Sequence, residues 1–128
     1  MRLLLDTHAF LWWVMDDRRL GVKARTAIAH PSSVVHVSAA SCWEMAIKAA
    51  LGKLKMPMPY EQLIPGAVEA RGFEMLPIIS RHLYELLNQP FYHRDPFDRL
   101  IIAQAKVEGM TIVTRNPHFP PYGVPILW

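Results

Sequence analysis

HRDPFDRLIIAQA, residues 93–105, carries two aspartates three positions apart, Asp95 and Asp98, each next to an arginine (Arg94, Arg99). Two acids at a helix start can cap backbone N–H groups, or hold a cation against a phosphate. Helix-start chemistry separates them. Proline is favoured at the first helical position, so Pro96 makes Asp95 the N-cap and Asp98 the N3 residue. The N-cap carboxylate is consumed by N–H groups at N2 or N3. An acid at N3 can reach back to the N-cap amide, favour the helix dipole, or point outward. Capping explains Asp95 fully and Asp98 only optionally.

Other oxygen ligands are spread along the chain. Asp6 ends the apolar run RLLLD. An ionised acid there is costly to bury alone, so it belongs at the mouth of a cleft, either capping a helix that starts near His8 or binding an ion. Glu44 lies in AASCWEMAIKAAL, beside an apolar face expected from Trp43, Ile47 and Leu51. It can make a surface i,i+4 pair with Lys48. Alternatively both face the cleft of Asp6, Glu44 as ligand and Lys48 as a charge on the phosphate side. Thr114, Arg115 and Asn116 stand at the carboxyl end of TIVT, where Asn-Pro also signals a plain turn.

Several chemistries are excluded. Cys42 is the only cysteine, so neither an internal disulfide nor a cysteine-based zinc site can form. His8, His30, His36, His82, His93 and His118 show no H-x-H or H-E-x-x-H spacing and read as surface or satisfied core. There is no Gly-rich phosphate loop, and Ser38 and Ser41 lack a nucleophile elbow. Asp6, Glu44, Asp98 and Asn116 remain as an all-oxygen set, which suits Mg²⁺ or Mn²⁺. With Arg94, Arg99, Arg115, Lys48 and Lys53 nearby in sequence, such a set points to phosphodiester hydrolysis.

The elements that must position these residues alternate. Strands are expected at 2–6, 33–38, 73–78, 111–114 and 124–128. Helices are expected from 7 to about 15, at 22–30, at 39–51 stopped by Gly52, at 60–71 with a break at Pro65 and Gly66, at 80–89 opened by Ser80, and from Asp95 to about Glu108 stopped by Gly109. This alternation implies an α/β fold, three layers around a mainly parallel sheet of four to five strands. Ligands then sit beyond the carboxyl ends of the strands, where these residues fall.

The 128 residues form one domain, 1–128, of globular composition (52% hydrophobic, 20% charged). A net charge of +3 is compatible with a polyanionic partner. No stretch spans a bilayer or resembles a secretory signal, so the chain reads as reduced and cytoplasmic. Trp12, Trp13 and Trp43 read as core or interface.

LLLDTHAFLWW, VSAASCWEMAIKAALGKL, HRDPFDRLIIAQA and TIVTRNPHFPPYGVPILW, in that order over nearly the whole chain, resemble the blocks of the PIN-domain family, specifically the VapC-type toxin ribonucleases of bacterial toxin–antitoxin pairs. The resemblance implies a metal-dependent endoribonuclease with RNA as substrate, a cognate antitoxin as partner, and a homodimer. Carried over, Asp6, Glu44 and Asp98 are catalytic and bind Mg²⁺ or Mn²⁺. Asp95 and Thr114 support them, and Lys48, Arg99 or Arg115 steadies the phosphate. Asn116 stands where these proteins usually have an aspartate, a weak ligand that brings no charge. The alternative it opens is a PIN-like module that binds RNA or a partner with weakened or lost catalysis. A phospho-acceptor centred on Asp6 would leave Glu44 and Asp98 idle.

Overall fold

Leu3, Leu4 and Leu5 have no exposed surface. Successive side chains of a strand point to opposite faces, so this strand, β1 (Arg2–Leu5), must be covered on both sides. Leu3 and Leu5 join one core with Phe10, Leu20, Met45 and Val68. Leu4 joins a second with Leu100, Ile101, Ile112 and Phe119. A sheet between two helical layers follows, as expected.

The computed structural model describes all 128 residues. In it β2 (Val34–Ser38), β3 (Glu74–Leu76), β4 (Thr111–Val113) and β5 (Ile126–Leu127) join β1 in one sheet, ordered β3-β2-β1-β4-β5 with every neighbouring pair parallel. Leu5 pairs with Val37 on one side and Val113 on the other. The chain winds outward from β1 to β3 and returns to β4 on β1's other side. β1 and β4 therefore flank a topological switch point, where the loops leaving them diverge and open a crevice. Asp6 and Thr114 are the first residues beyond those strands.

The helices are α1 (Thr7–Val14), α2 (Val22–Ala29), α3 (Ala39–Ala50), a π-helical turn (Gln62–Ala67) running into α4 (Val68–Ala70), α5 (Ser80–Asn88) and α6 (Pro96–Glu108). The break expected near Pro65 falls at Ile64, whose backbone is extended. Gly109 ends α6 in the left-handed conformation, at φ 68°, which a side chain would disfavour. No helix is long and apolar enough to cross a membrane.

Three local expectations need correction. The expected apolar face of α3 is not its buried face: Trp43 and Leu51 are exposed, and Ser41, Cys42, Glu44 and Met45 are buried. The helix turns a polar edge inward because it borders the crevice, leaving Trp43 to pack edge-on against Phe97 at 5.1 Å. Ser80 begins α5 without capping it. The buried imidazole of His82 accepts from Ile79 N–H at 3.1 Å instead. The strands at 73–78 and 124–128 are also shorter than expected, three and two residues.

Candidate active site

Of the two roles its sequence left open, Asp6 fills the capping one. It is the N-cap of α1, Oδ1 accepting from Ala9 N–H at 2.7 Å, while Oδ2 accepts from the Thr114 hydroxyl at 2.6 Å. The carboxyl is buried at the switch point. Burial raises its pKa, the Thr114 and Ala9 hydrogen bonds lower it, and the charge of Glu44 pushes it up further. Thr114 thus supports Asp6, and its hydroxyl also accepts from Asn116 N–H at 3.0 Å.

Glu44 is only 5% exposed despite lying mid-helix. Thr7 donates to Oε1 and Lys48 Nζ to Oε2, each at 2.6 Å. The i,i+4 pair exists, but its acid faces inward rather than to solvent. The hydrogen bond to Glu44 raises the Lys48 pKa, and Asp95 and Asp98 add to the effect, so the ammonium stays charged within the field of three acids.

The two aspartates of α6 divide the work. Asp95 Oδ1 accepts from Phe97 N–H at 2.9 Å and Asp98 N–H at 3.0 Å, an N-cap with proline following. Asp98 makes no return bond to the cap. Its Oδ2 accepts from the Asn116 side-chain amide at 3.3 Å and lies 3.1 Å from His93 Nε2. Burial first, then Asp95, with a smaller push from Glu44, raise its pKa to about 6.

Asp6, Glu44 and Asp98 therefore come from three separate elements, and both aspartates feel the charge of Glu44. As they stand, no three histidine, cysteine, aspartate or glutamate side chains converge into a cage for an ion. Their oxygens are turned to Ala9, Thr114, Thr7, Lys48, His93 and Asn116 instead. Asn116 acts here as a donor: its amide nitrogen meets Asp98 and its oxygen accepts from His118 N–H at 3.0 Å.

The cations separate. Arg115 is exposed and forms no ion pair. Its guanidinium lies 4.6 Å from the Trp12 ring and 5.9 Å from that of Trp128. It lines a crevice of about 310 Å³ with Asp6, His8, Trp12, Asn116 and Trp128. Arg99, expected at the phosphate, is drawn elsewhere. It is buried, donates to the carbonyls of Gln89 (2.9 Å) and Pro90 (3.4 Å), and lies 3.7 Å from the Phe91 ring. Side chains one position apart on a helix diverge by about 100°, so Arg99 turns inward where Asp98 does not.

The sequence reading missed Thr7 and His93. Thr7 follows Asp6 directly, and its adjacency was the available signal. The sequence places His93 at the surface or in the core, yet its Nε2 meets Asp98 and its Nδ1 meets the Tyr122 hydroxyl at 2.8 Å, the ring stacking on His118. Its position two residues before the cap Asp95 was the only cue.

The sequence matches the PIN domain family over residues 3–124. It is 30% identical over 115 residues to Ribonuclease VapC22 of Mycobacterium tuberculosis, covering 89% of this chain and 86% of that protein. The fold is similar to that in the VapBC2 complex of Rickettsia felis bound to a promoter DNA fragment, with a TM-score of 0.69 at 14% identity over 99% of this chain and 98% of that one. It is also similar to a chain of a Klebsiella pneumoniae toxin–antitoxin complex, with a TM-score of 0.64 at 20% identity over 98% and 96%. On the extent of the family match and the curated relative's coverage, the chain belongs to the PIN-domain family.

Proposed function

We propose that this chain is a divalent-metal-dependent endoribonuclease, using Mg²⁺ or Mn²⁺ to hydrolyse RNA phosphodiester bonds, and the toxin of a toxin–antitoxin pair. The observation that carries the reading is that Asp6 at β1's end and Asp98 on α6 lie near enough to Glu44 on α3 for its charge to raise the pKa of both. Carboxylates that repel one another in a partly buried crevice favour a hard cation, and the absence of sulfur or imidazole spacing favours magnesium or manganese over zinc. The name of the M. tuberculosis relative supports ribonuclease activity. The toxin–antitoxin complexes among the similar structures support a cognate antitoxin partner. We further assign the protein to the cytoplasm, as a homodimer.

In this reading Asp6, Glu44 and Asp98 hold the ion, and Asn116 joins weakly through its amide oxygen once that oxygen leaves His118. When bound, the ion would acidify an attacking water and offset charge on the phosphoryl oxygens. Thr114 and Thr7 orient Asp6 and Glu44 by hydrogen bonds to one oxygen each, leaving lone pairs free. Lys48 and Arg115 flank the acids and steady the phosphate, whose charge the carboxylates alone would repel. Asp95 fixes the first turn of α6 and so the position of Asp98.

The donor role of Asn116 supports a second reading, a PIN-like module that binds RNA or a partner with weakened catalysis. RNA cleavage separates them. The wild type should cut single-stranded RNA with Mg²⁺, and Asp6→Asn or excess EDTA should abolish it. Intact cleavage in either case would sink the metal-dependent reading, and no cleavage by the wild type would favour the binding module.

A further inference from the structure

Beside Asp6, the crevice of about 310 Å³ has walls unlike those of the carboxylate cluster: three aromatic rings and one guanidinium. His8 and Trp12 lie one helical turn apart on α1 with ring centroids 5.5 Å apart, and Trp128 meets Trp12 edge-on at 5.7 Å. The Trp128 indole is seated on Gly21. A Cβ at that position would come within 2.7 Å of Trp128 Cδ1. Arg115 lies over Trp12, and Arg19 also packs on that ring, at 4.8 Å. Arg19 is paired with Asp17 at 2.7 Å, whereas Arg115 has no acid partner.

Resting on the ribonuclease reading, we propose that this crevice is a nucleobase subsite, taking the base of one nucleotide next to the scissile phosphate. A planar guanidinium backed by an indole is a stacking platform with an outer face open to solvent. RNA-binding sites stack unpaired bases on aromatic rings and Arg planes. A phosphate fits the crevice body less well, because its charge would meet a single cation with the Asp6 carboxylate on the same wall. The two uses of Arg115 are compatible: the N–H edge can reach a phosphate while the face carries the base. His8 and Asn116 offer hydrogen-bonding groups at the rim, by which bases could be told apart.

The test uses the full chain in EDTA, where the proposed cleavage stops. Binding of single-stranded hexaribonucleotides is followed by fluorescence anisotropy, each position in turn being replaced by an abasic ribose. The subsite predicts that loss of one particular base weakens binding about tenfold, the scale of one stacking contact. Arg115→Lys keeps the charge and loses the plane. It should bring intact RNA down to the abasic level and erase that position's penalty, with the melting temperature unchanged. Trp128→Leu should erase the same penalty, with a lower melting temperature because Trp128 also packs against the core. Equal penalties at all positions, a penalty that survives both variants, or no measurable binding would overturn the proposal. Mg²⁺-dependent cleavage by the wild type is scored separately. Cleavage without a positional penalty refutes the subsite alone, and a positional penalty without cleavage refutes the ribonuclease reading alone.

Discussion

The side-chain amide of Asn116 donates to Asp98 Oδ2 across 3.3 Å. A neutral donor thus stands against an acid whose neighbours Asp95 and Glu44 already disfavour its charge. Asn116→Asp would replace it with a second carboxylate. Without metal, two like charges at this distance cost stability, and the melting temperature should fall by about 4 °C, equivalent to roughly 1 kcal/mol. With Mg²⁺ the order should reverse. A tenfold gain in affinity is worth about 1.4 kcal/mol at saturating ion. Thermal melts with and without MgCl₂ measure both effects, and an unchanged response to the ion would show that the fourth position does not face it.

Asp98 should make metal-free stability fall as pH rises. Its pKa in the folded protein is about 6, above the ordinary 3.8, so between these values the native state holds more protons than the unfolded chain. The stability linked to this group is then fully present below pH 3.8 and lost as pH passes through about 6. Asp98→Asn removes the titration. In EDTA the variant should melt above the wild type at pH 8, with the gap closing by about pH 4. Added Mg²⁺ should stabilise only the wild type. A variant no more stable than the wild type at pH 8 would contradict the burial and the neighbouring carboxylates that raise the Asp98 pKa.

How far the sequence could be read varies with the kind of force involved. The strand runs were legible because LLL is buried on both faces, and few arrangements other than a covered parallel sheet bury every residue. The start of α6 was legible because capping is local: Pro96 alone assigned Asp95 and left Asp98 spare. The face of α3 was not. Periodicity assumes that buried means apolar, and here Glu44 is buried among polar partners while Trp43 is exposed. Arg99 is drawn from the phosphate for a related reason, its guanidinium donating to backbone carbonyls close in sequence but beyond any spacing rule. His93 escaped because it meets Asp98 from the loop before α6, outside any helical spacing, while Tyr122, 29 residues away, holds its other nitrogen.

Thr7→Val should isolate the support given to Glu44. The substitution nearly keeps the shape and removes the hydroxyl that donates to Oε1 at 2.6 Å, leaving a buried carboxylate with Lys48 alone. Loss of a buried hydrogen bond to a charged group costs about 1–3 kcal/mol. The urea midpoint should drop accordingly, and RNA cleavage should fall with it because Glu44 is freed to rotate. Thr7→Ser, which restores the hydroxyl, should recover most of both. If Val and Ser variants behave alike, the hydroxyl is not what holds Glu44.

Arg99→Lys should separate a structural arginine from a substrate-facing one. The guanidinium clamps the segment before α6 by donating to Gln89 and Pro90 carbonyls, and the Gln89 side chain returns a hydrogen bond to Arg99 O at 3.1 Å. The plane also lies on Phe91. Lysine keeps the charge but can reproduce neither the planar fork nor the stacking, so about 2 kcal/mol of stability should be lost. RNA affinity in EDTA should stay within about twofold of the wild type, because this side chain is buried on the core side of α6. Arg115→Lys should show the opposite pattern, full stability with weakened RNA binding, since Arg115 is exposed and bonded to no protein acceptor. A loss of RNA affinity in Arg99→Lys at full stability would return that residue to the phosphate.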